Sequence, residues 1–335
     1  MKLRRLILML ASIALAFVLI VLLVKVGKVD LRVTLQQLKS VTLIAFAKIV
    51  LLNAFLVYLS TEKWRSIDAA WRRPSDSIQP KITSYAVTSV GLAMGVFLPL
   101  QLAMATARTL GTYIHGRALK RGTAGTLLEQ GFDVYTVAFL ALASGITWFY
   151  HGGAKTWALC ASASIVLALL AVGPSVFLVR WLFASCSALS AEPHNRILRS
   201  FWAIQHSGIL NAGLARRLVA LSALRTGTVV LMSIQTAEAV GLHIPPWQMA
   251  AAVPLVSVAA IIALTPGGIG LNDLAGAGAL RIFGTPFAIG AQWVLANRVL
   301  VSVSYLLVAF FAIVVLCSDK VLAHYIGGAI REDNQ

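Results

Sequence analysis

Six windows of this chain, Leu6–Val24, Val41–Ser60, Leu127–Phe149, Trp157–Val179, Leu218–Val240 and Phe287–Leu316, each run for about twenty residues or more of nearly unbroken apolar sequence. A helix rises ~1.5 Å per residue, so about twenty such residues cross a hydrocarbon core roughly 30 Å thick. Two further windows, Ile82–Gln101 and Trp247–Leu264, are as apolar but end in proline-containing breaks. Composition agrees: 59% of the 335 residues are hydrophobic and 12% charged, against about 25% charged in soluble domains. The pattern specifies an all-α, polytopic membrane protein, residues 1–335 forming one membrane domain. The longest hydrophilic stretch, Arg180 to Arg217, is itself half apolar and too short for a soluble catalytic domain.

The N-terminal MKLRR and the apolar run after it resemble a signal peptide, with Ala14-Leu15-Ala16 as the cleavage site. The run continues to Val24, longer than a signal h-region, so an uncleaved first span is expected. Cys160, Cys186 and Cys317 are scattered without metal-ligand spacing and read as small core residues. The six histidines likewise show no catalytic or ligand spacing.

Net charge is +16, which suits anionic lipids or acidic substrates. Nucleic acid is a poor partner, because the basic residues are spread over loops between spans. Basic residues favour the cytoplasmic ends of spans. If all eight windows cross, the cytoplasmic side holds eleven Lys/Arg and the outer side fourteen. If Ile82–Gln101 and Trp247–Leu264 each enter partway, turn and return, the split becomes nineteen against six. Six crossing helices and two re-entrant hairpins are therefore expected, with both termini cytoplasmic. Three crossings separate the hairpins, so one opens from each side. The halves, about 41–150 and 218–316, then share one plan of apolar helix, proline break, short helix and polar-interrupted span. Such inverted repeats with broken helices are a transporter architecture, with binding near the midplane. A cytoplasmic amphipathic connector is expected at about 181–217, with Ile197, Leu198, Phe201 and Trp202 at helical spacing. WRSIDAAWRR reads as an interface anchor with Trp64 and Trp71 at headgroup depth.

The second break reads ALTPGGIGLND. Pro266 stops the helix before it. Gly267, Gly268 and Gly270 let the chain bend sharply and let another backbone, or a ligand, come close. Thr265–Gly270 is expected as a turn and Leu271–Ile282 as a short helix, with Asn272 and Asp273 in its first turn. Its free amides call for an acceptor, a lipid phosphate being one candidate and a helix cap the other. Ionisable groups inside spans cost at least ~2.5–3.5 kcal/mol and need partners. Asp273 is expected to pair with Arg298. Glu129 or Asp133, four apart on one helix face, is expected to pair with Arg108 or Arg225 around one polar cavity. Lys48 and Glu238, nearer span ends, snorkel.

PGGIGLND, with Arg298 about 25 positions on, resembles the Pro-Gly-Gly-x-Gly-x-x-Glu signature of the lysylphosphatidylglycerol synthase transmembrane-region family. Asp273 stands in place of the glutamate. In the first half that family shows a proline, Gly-acid, Arg, then Glu-Arg-x-x-Asp. Here Pro99, Arg108, Glu129 and Asp133 match, with Arg108 one place late. Ala103 and Met104 replace Gly-acid, and Gln130 replaces Arg. The resemblance implies a bundle with re-entrant helices that moves aminoacylated phosphatidylglycerol, or serves envelope-polysaccharide or isoprenoid-lipid pathways, in a bacterial inner membrane. The family's soluble aminoacyltransferase domain has no counterpart in these 335 residues. A lipid or lipid-linked-sugar flippase is the leading expectation. The alternatives are a non-transporting partner of an envelope-synthesis complex and a membrane-embedded glycosyl- or phosphotransferase. No Asp-x-Asp metal motif and no ATP-binding loop occur, so no metal, cofactor or ATP drive is expected.

Overall fold

The computed structural model describes residues 2–71, 80–114, 119–187, 211–262 and 265–332. Among them the chain forms eleven α-helices and no strand. Two helices come first, α1 (Lys2–Gly27) and α2 (Leu31–Lys39). A set of four follows: α3 (Leu43–Ala70), α4 (Lys81–Met94), α5 (Leu100–Ile114) and α6 (Leu119–Phe149). After α7 (Ala154–Ser187) comes a second set of four, α8 (Ala212–Ala239), α9 (Pro246–Ile262), α10 (Leu271–Ile282) and α11 (Phe287–Glu332).

Among the described residues, five segments are long and apolar enough to cross a membrane: Leu43–Ala70, Gly122–Phe149, Ala154–Leu178, Ala212–Ala239 and Phe287–Ser318. They coincide with five of the six apolar windows. The sixth window lies in α1, where the apolar stretch Phe17–Val26 falls. Helix starts follow local chemistry. The Thr42 hydroxyl accepts the Ala45 amide at 3.2 Å, and the Asn211 side chain accepts the Leu214 amide at 2.8 Å. The short helix α2, absent from the sequence reading, starts where Asp30 accepts the Arg32 amide at 2.8 Å.

Helices α4, α5, α9 and α10 have 14, 15, 17 and 12 residues. At ~1.5 Å per residue each is about 18–26 Å long, short of a ~30 Å core. They pack in adjacent pairs, α4 on α5 and α9 on α10. Exchanging the two sets of four leaves the pattern of packing unchanged. Helix α4 lies on α11 as α9 lies on α6, and α3 on α11 as α8 on α6; α3 and α8 pack on each other. This is the relation a pseudo-two-fold axis produces. The first helix of each short pair thus packs on the long helix of the opposite half, and the second on the long helix of its own.

Several expectations are corrected. Helix α3 runs beyond the apolar window to Ala70, so Lys63 and Trp64 are 0% and 3% exposed, inside the bundle rather than at its edge. Trp64 is therefore no headgroup-level anchor, although Trp71 is half-buried. Arg108, counted with the cytoplasmic charges, is also fully buried. Taking Lys63 and Arg108 out of the nineteen expected on the cytoplasmic side leaves seventeen against six. The connector is shorter than 181–217, because α7 extends to Ser187 and α8 begins at Ala212. Its Ile197–Trp202 stripe lies outside the described residues. Cys317 is exposed and is no core residue, whereas Cys160 is half-buried and packs against the Leu140, Ala143 and Ala161 cluster; the Cys186 side chain lies outside the described residues.

Candidate functional site

The break after α9 folds as expected into a turn, with a single 3₁₀ turn over Pro266–Gly268. Gly267, Gly268 and Gly270 all have positive φ, at 59°, 65° and 86°. At Gly267 a second constraint applies. Its amide donates to the Leu98 carbonyl at 3.2 Å, and a Cβ there would stand 2.5 Å from the Val96 carbonyl oxygen. Leu98 and Val96 belong to the other break, the one ending at Pro99, which is half-buried just before α5. The two breaks therefore touch backbone to backbone, which only glycine permits at that spot.

Arg298, on α11, ties this turn down. Its Nε and Nη2 donate to Asp273 Oδ1 at 3.0 and 2.8 Å. Its Nη1 and Nη2 donate to the carbonyls of Gly267 and Gly268 at 3.1 and 3.4 Å. The other Asp273 oxygen accepts the Gly270 amide at 2.8 Å and closes the start of α10. The acceptor that the sequence left open between a cap and a lipid phosphate is, for Gly270, Asp273 itself. Asp273 is 3% exposed and Arg298 keeps a quarter of its side chain accessible. Arg298 faces a cavity of about 270 Å³ with Gln101, Asn272, Asn297 and Tyr305. The Asn272 side-chain oxygen, buried there, has no hydrogen-bond partner among the protein groups.

A second cluster sits between α3, α5, α6 and α8. Glu129 accepts from Arg108 and lies 3.7 Å from the Lys63 ammonium. Asp133 accepts from Lys63 at 2.5 Å and faces Arg225 at 3.7 Å. Ser60 anchors both arginines. Its carbonyl accepts from Arg108 Nη2 at 3.2 Å, and its hydroxyl from Arg225 Nε at 3.2 Å. The Arg108 guanidinium also lies 5.3 Å from the centre of the Trp64 ring, a cation–π distance. Three cations thus share two carboxylates. Arg108, Glu129, Asp133 and Arg225 line a cavity of about 330 Å³.

The structure brings Asp273 to Arg298, Glu129 to Arg108 and Asp133 to Arg225. It differs from the single cavity expected: two cavities lie side by side, sharing Leu92, Leu100, Gln101, Ala260 and Tyr305 as their common border. Lys63 is the member that the sequence reading missed, together with Ser60, Gln101 and Tyr305. One signal was present, since no Gly or Pro separates Val41–Ser60 from Lys63 and the helix had no reason to stop. The halves also differ. Met104, where the family pattern has an acid, is buried and packs against Gly91 of α4, so the first hairpin is held by apolar contact. Lys48 and Glu238 are exposed, as snorkelling residues are. Among the described residues no group of three His, Cys, Asp or Glu is placed to hold a metal.

No curated protein matches the chain significantly. The model of the family described as "Lysylphosphatidylglycerol synthase TM region" matches residues 9–317, a stretch that includes both hairpins, both charged clusters and every helix that faces them. A match over that much of the chain places it: this chain belongs to the lysylphosphatidylglycerol synthase transmembrane-region family.

Proposed function

We propose that the protein is a flippase that moves an anionic or aminoacylated phospholipid, or an isoprenoid-linked envelope precursor, between leaflets of a bacterial inner membrane. One observation carries this reading: two buried cations, Lys63 and Arg108, and a half-buried third, Arg225, stand against two carboxylates beside a cavity. An excess positive charge in a low-dielectric interior is costly unless an anion joins it, and a lipid phosphate is that anion. The carboxylates suit a cationic or hydroxylated part of the same headgroup. In this reading α4–α5 and α9–α10 are re-entrant hairpins from opposite faces, meeting at the Gly267–Leu98 contact, with both termini cytoplasmic. The protein works by transport and not by covalent chemistry, driven by a gradient or by mass action.

The test is leaflet exchange in proteoliposomes containing fluorescent phosphatidylglycerol, with dithionite bleaching the outer leaflet. Wild-type protein should expose the inner-leaflet label. Arg225→Gln should stop exchange while leaving the melting temperature near wild type, because its ion pair is long and partly exposed. Unchanged exchange in Arg225→Gln, or no exchange by wild type with any headgroup, overturns the proposal.

A second reading, a non-transporting partner of an envelope-synthesis complex, is favoured by Met104, which removes an acid from the first hairpin. Inertness toward every lipid, together with a stably co-purifying protein, is its signature.

A further inference from the structure

In the cavity beside Arg298 the charges are engaged and the neutral groups are not. Both Asp273 oxygens are taken, one by Arg298 and the other by the Gly270 amide, so the pair adds no net charge. Around it stand uncharged side chains with hydrogen-bonding capacity to spare. Asn297 accepts from the Thr236 hydroxyl at 2.8 Å and keeps its amide nitrogen free. Gln101 donates to the Ala260 carbonyl at 3.4 Å and keeps its oxygen free. Among the described residues, the side chains of Asn272, Ser302 and Tyr305 make no hydrogen bond. Polar groups inside a protein are normally paired, so a set left unpaired around a void calls for a ligand that pairs with them. Donors and acceptors stand together here without free charge, and hydroxyls, which donate and accept at once, match that mixture.

The neighbouring cavity differs. There the buried Arg108 Nε has no partner among the protein groups, and three cations face two carboxylates. Glu129 faces Lys63 and Arg108 with its two oxygens, and Asp133 faces Lys63 and Arg225. No carboxylate oxygen of either cavity is therefore left open for a headgroup ammonium. Gln101 and Tyr305 line both cavities, so a group seated in one lies against side chains that border the other.

We propose that the cavity beside Arg298 holds an uncharged, hydroxyl-bearing part of the headgroup whose phosphate sits by Arg108 and Arg225, and that the substrate is a phosphodiester lipid with a neutral polyol rather than its aminoacylated form. The proposal rests on the flippase reading for the place of the phosphate. The charge count agrees with it: a phosphodiester balances the single surplus positive charge, whereas a lysylated headgroup brings ammonium groups and enlarges the surplus.

The experiment uses the full chain in mixed micelles and reads the mole fraction of added lipid that gives half of the rise in melting temperature, beside leaflet exchange in proteoliposomes. The probes are phosphatidylglycerol, phosphatidylinositol, phosphatidylethanol and lysylphosphatidylglycerol. Phosphatidylethanol carries the phosphodiester charge of phosphatidylglycerol without its hydroxyls, so it isolates the subsite. It should bind roughly tenfold more weakly than phosphatidylglycerol, the worth of one or two hydrogen bonds, and lysylphosphatidylglycerol should bind more weakly still. Phosphatidylinositol binding ahead of phosphatidylglycerol supports the proposal with a sugar-like ring as the occupant; the reverse order supports it with glycerol. Asn272→Ala removes a side chain without a protein partner, so the lipid-free melting temperature and phosphatidylethanol binding should hold while the preference for phosphatidylglycerol is lost. Ser302→Ala should weaken the preference in the same direction. Equal binding of phosphatidylglycerol and phosphatidylethanol, tighter binding of lysylphosphatidylglycerol, or an unchanged preference in both variants overturns the proposal, and exchange of lipid by the same protein leaves the flippase reading intact. A hydroxyl-dependent preference in a protein that exchanges no lipid overturns the flippase reading and leaves the subsite standing.

Discussion

Replacing Arg298 with Met removes the clamp on the glycine turn at nearly constant volume. Four hydrogen bonds disappear, two to Asp273 and one each to the Gly267 and Gly268 carbonyls. The remaining carboxylate, 3% exposed, keeps only the Gly270 amide. Removing one partner of a buried ion pair costs about 3–5 kcal/mol. Because Arg298 is itself a quarter exposed, the low end applies, about 3 kcal/mol, or roughly a hundredfold in the folded-to-unfolded ratio. Adding Asp273→Asn to Arg298→Met removes the stranded charge. The double variant should then be more stable than the sum of the single losses by about 1–2 kcal/mol. Denaturant titration in mixed micelles, followed by tryptophan fluorescence, reads all four members of the cycle. Trp293, which lines the same cavity, is a local reporter. A loss below about 1 kcal/mol for Arg298→Met, or strict additivity in the double variant, refutes the clamp.

Two further outcomes follow from the same geometry. Gly267→Ala should destabilise by more than ~2 kcal/mol, since it combines a left-handed backbone with a Cβ driven into the Val96 carbonyl; Gly278→Ala, in open space on α10, should be neutral or gain up to ~1 kcal/mol, and thermal melting compares them. Lys63→Met should leave the cluster with two cations for two carboxylates, so phosphatidylglycerol, expected to raise the melting temperature of wild type, should no longer raise that of the variant, and a rise equal to that of wild type would refute the charge count.

The long apolar segments and the short helix Leu271–Ile282 were legible because each depends on local signals: a run long enough for a bilayer, a proline stop, a glycine turn. Arg298 and Asp273 were legible as a pair because an ionisable group in such surroundings demands a partner and few were available. Lys63 and Trp64 were not. In sequence they sit among charged residues just past an apolar window, where a loop or an interface is the natural reading. Their burial comes from α5, α6 and α8 closing over the end of α3, and one segment's periodicity carries no record of which others will cover it. The division into two cavities was hidden for the same reason: its border draws one residue each from α4, α9 and α11 and two from α5.

The crosswise packing of the two halves has a consequence for biogenesis. When ribosomal synthesis has passed α6, Asp133 still lacks Arg225 and the helix face later covered by α9 is bare. Neither half made alone therefore holds a complete set of neighbours. Co-expressed half-chains, split within 188–210, should assemble where each by itself is degraded.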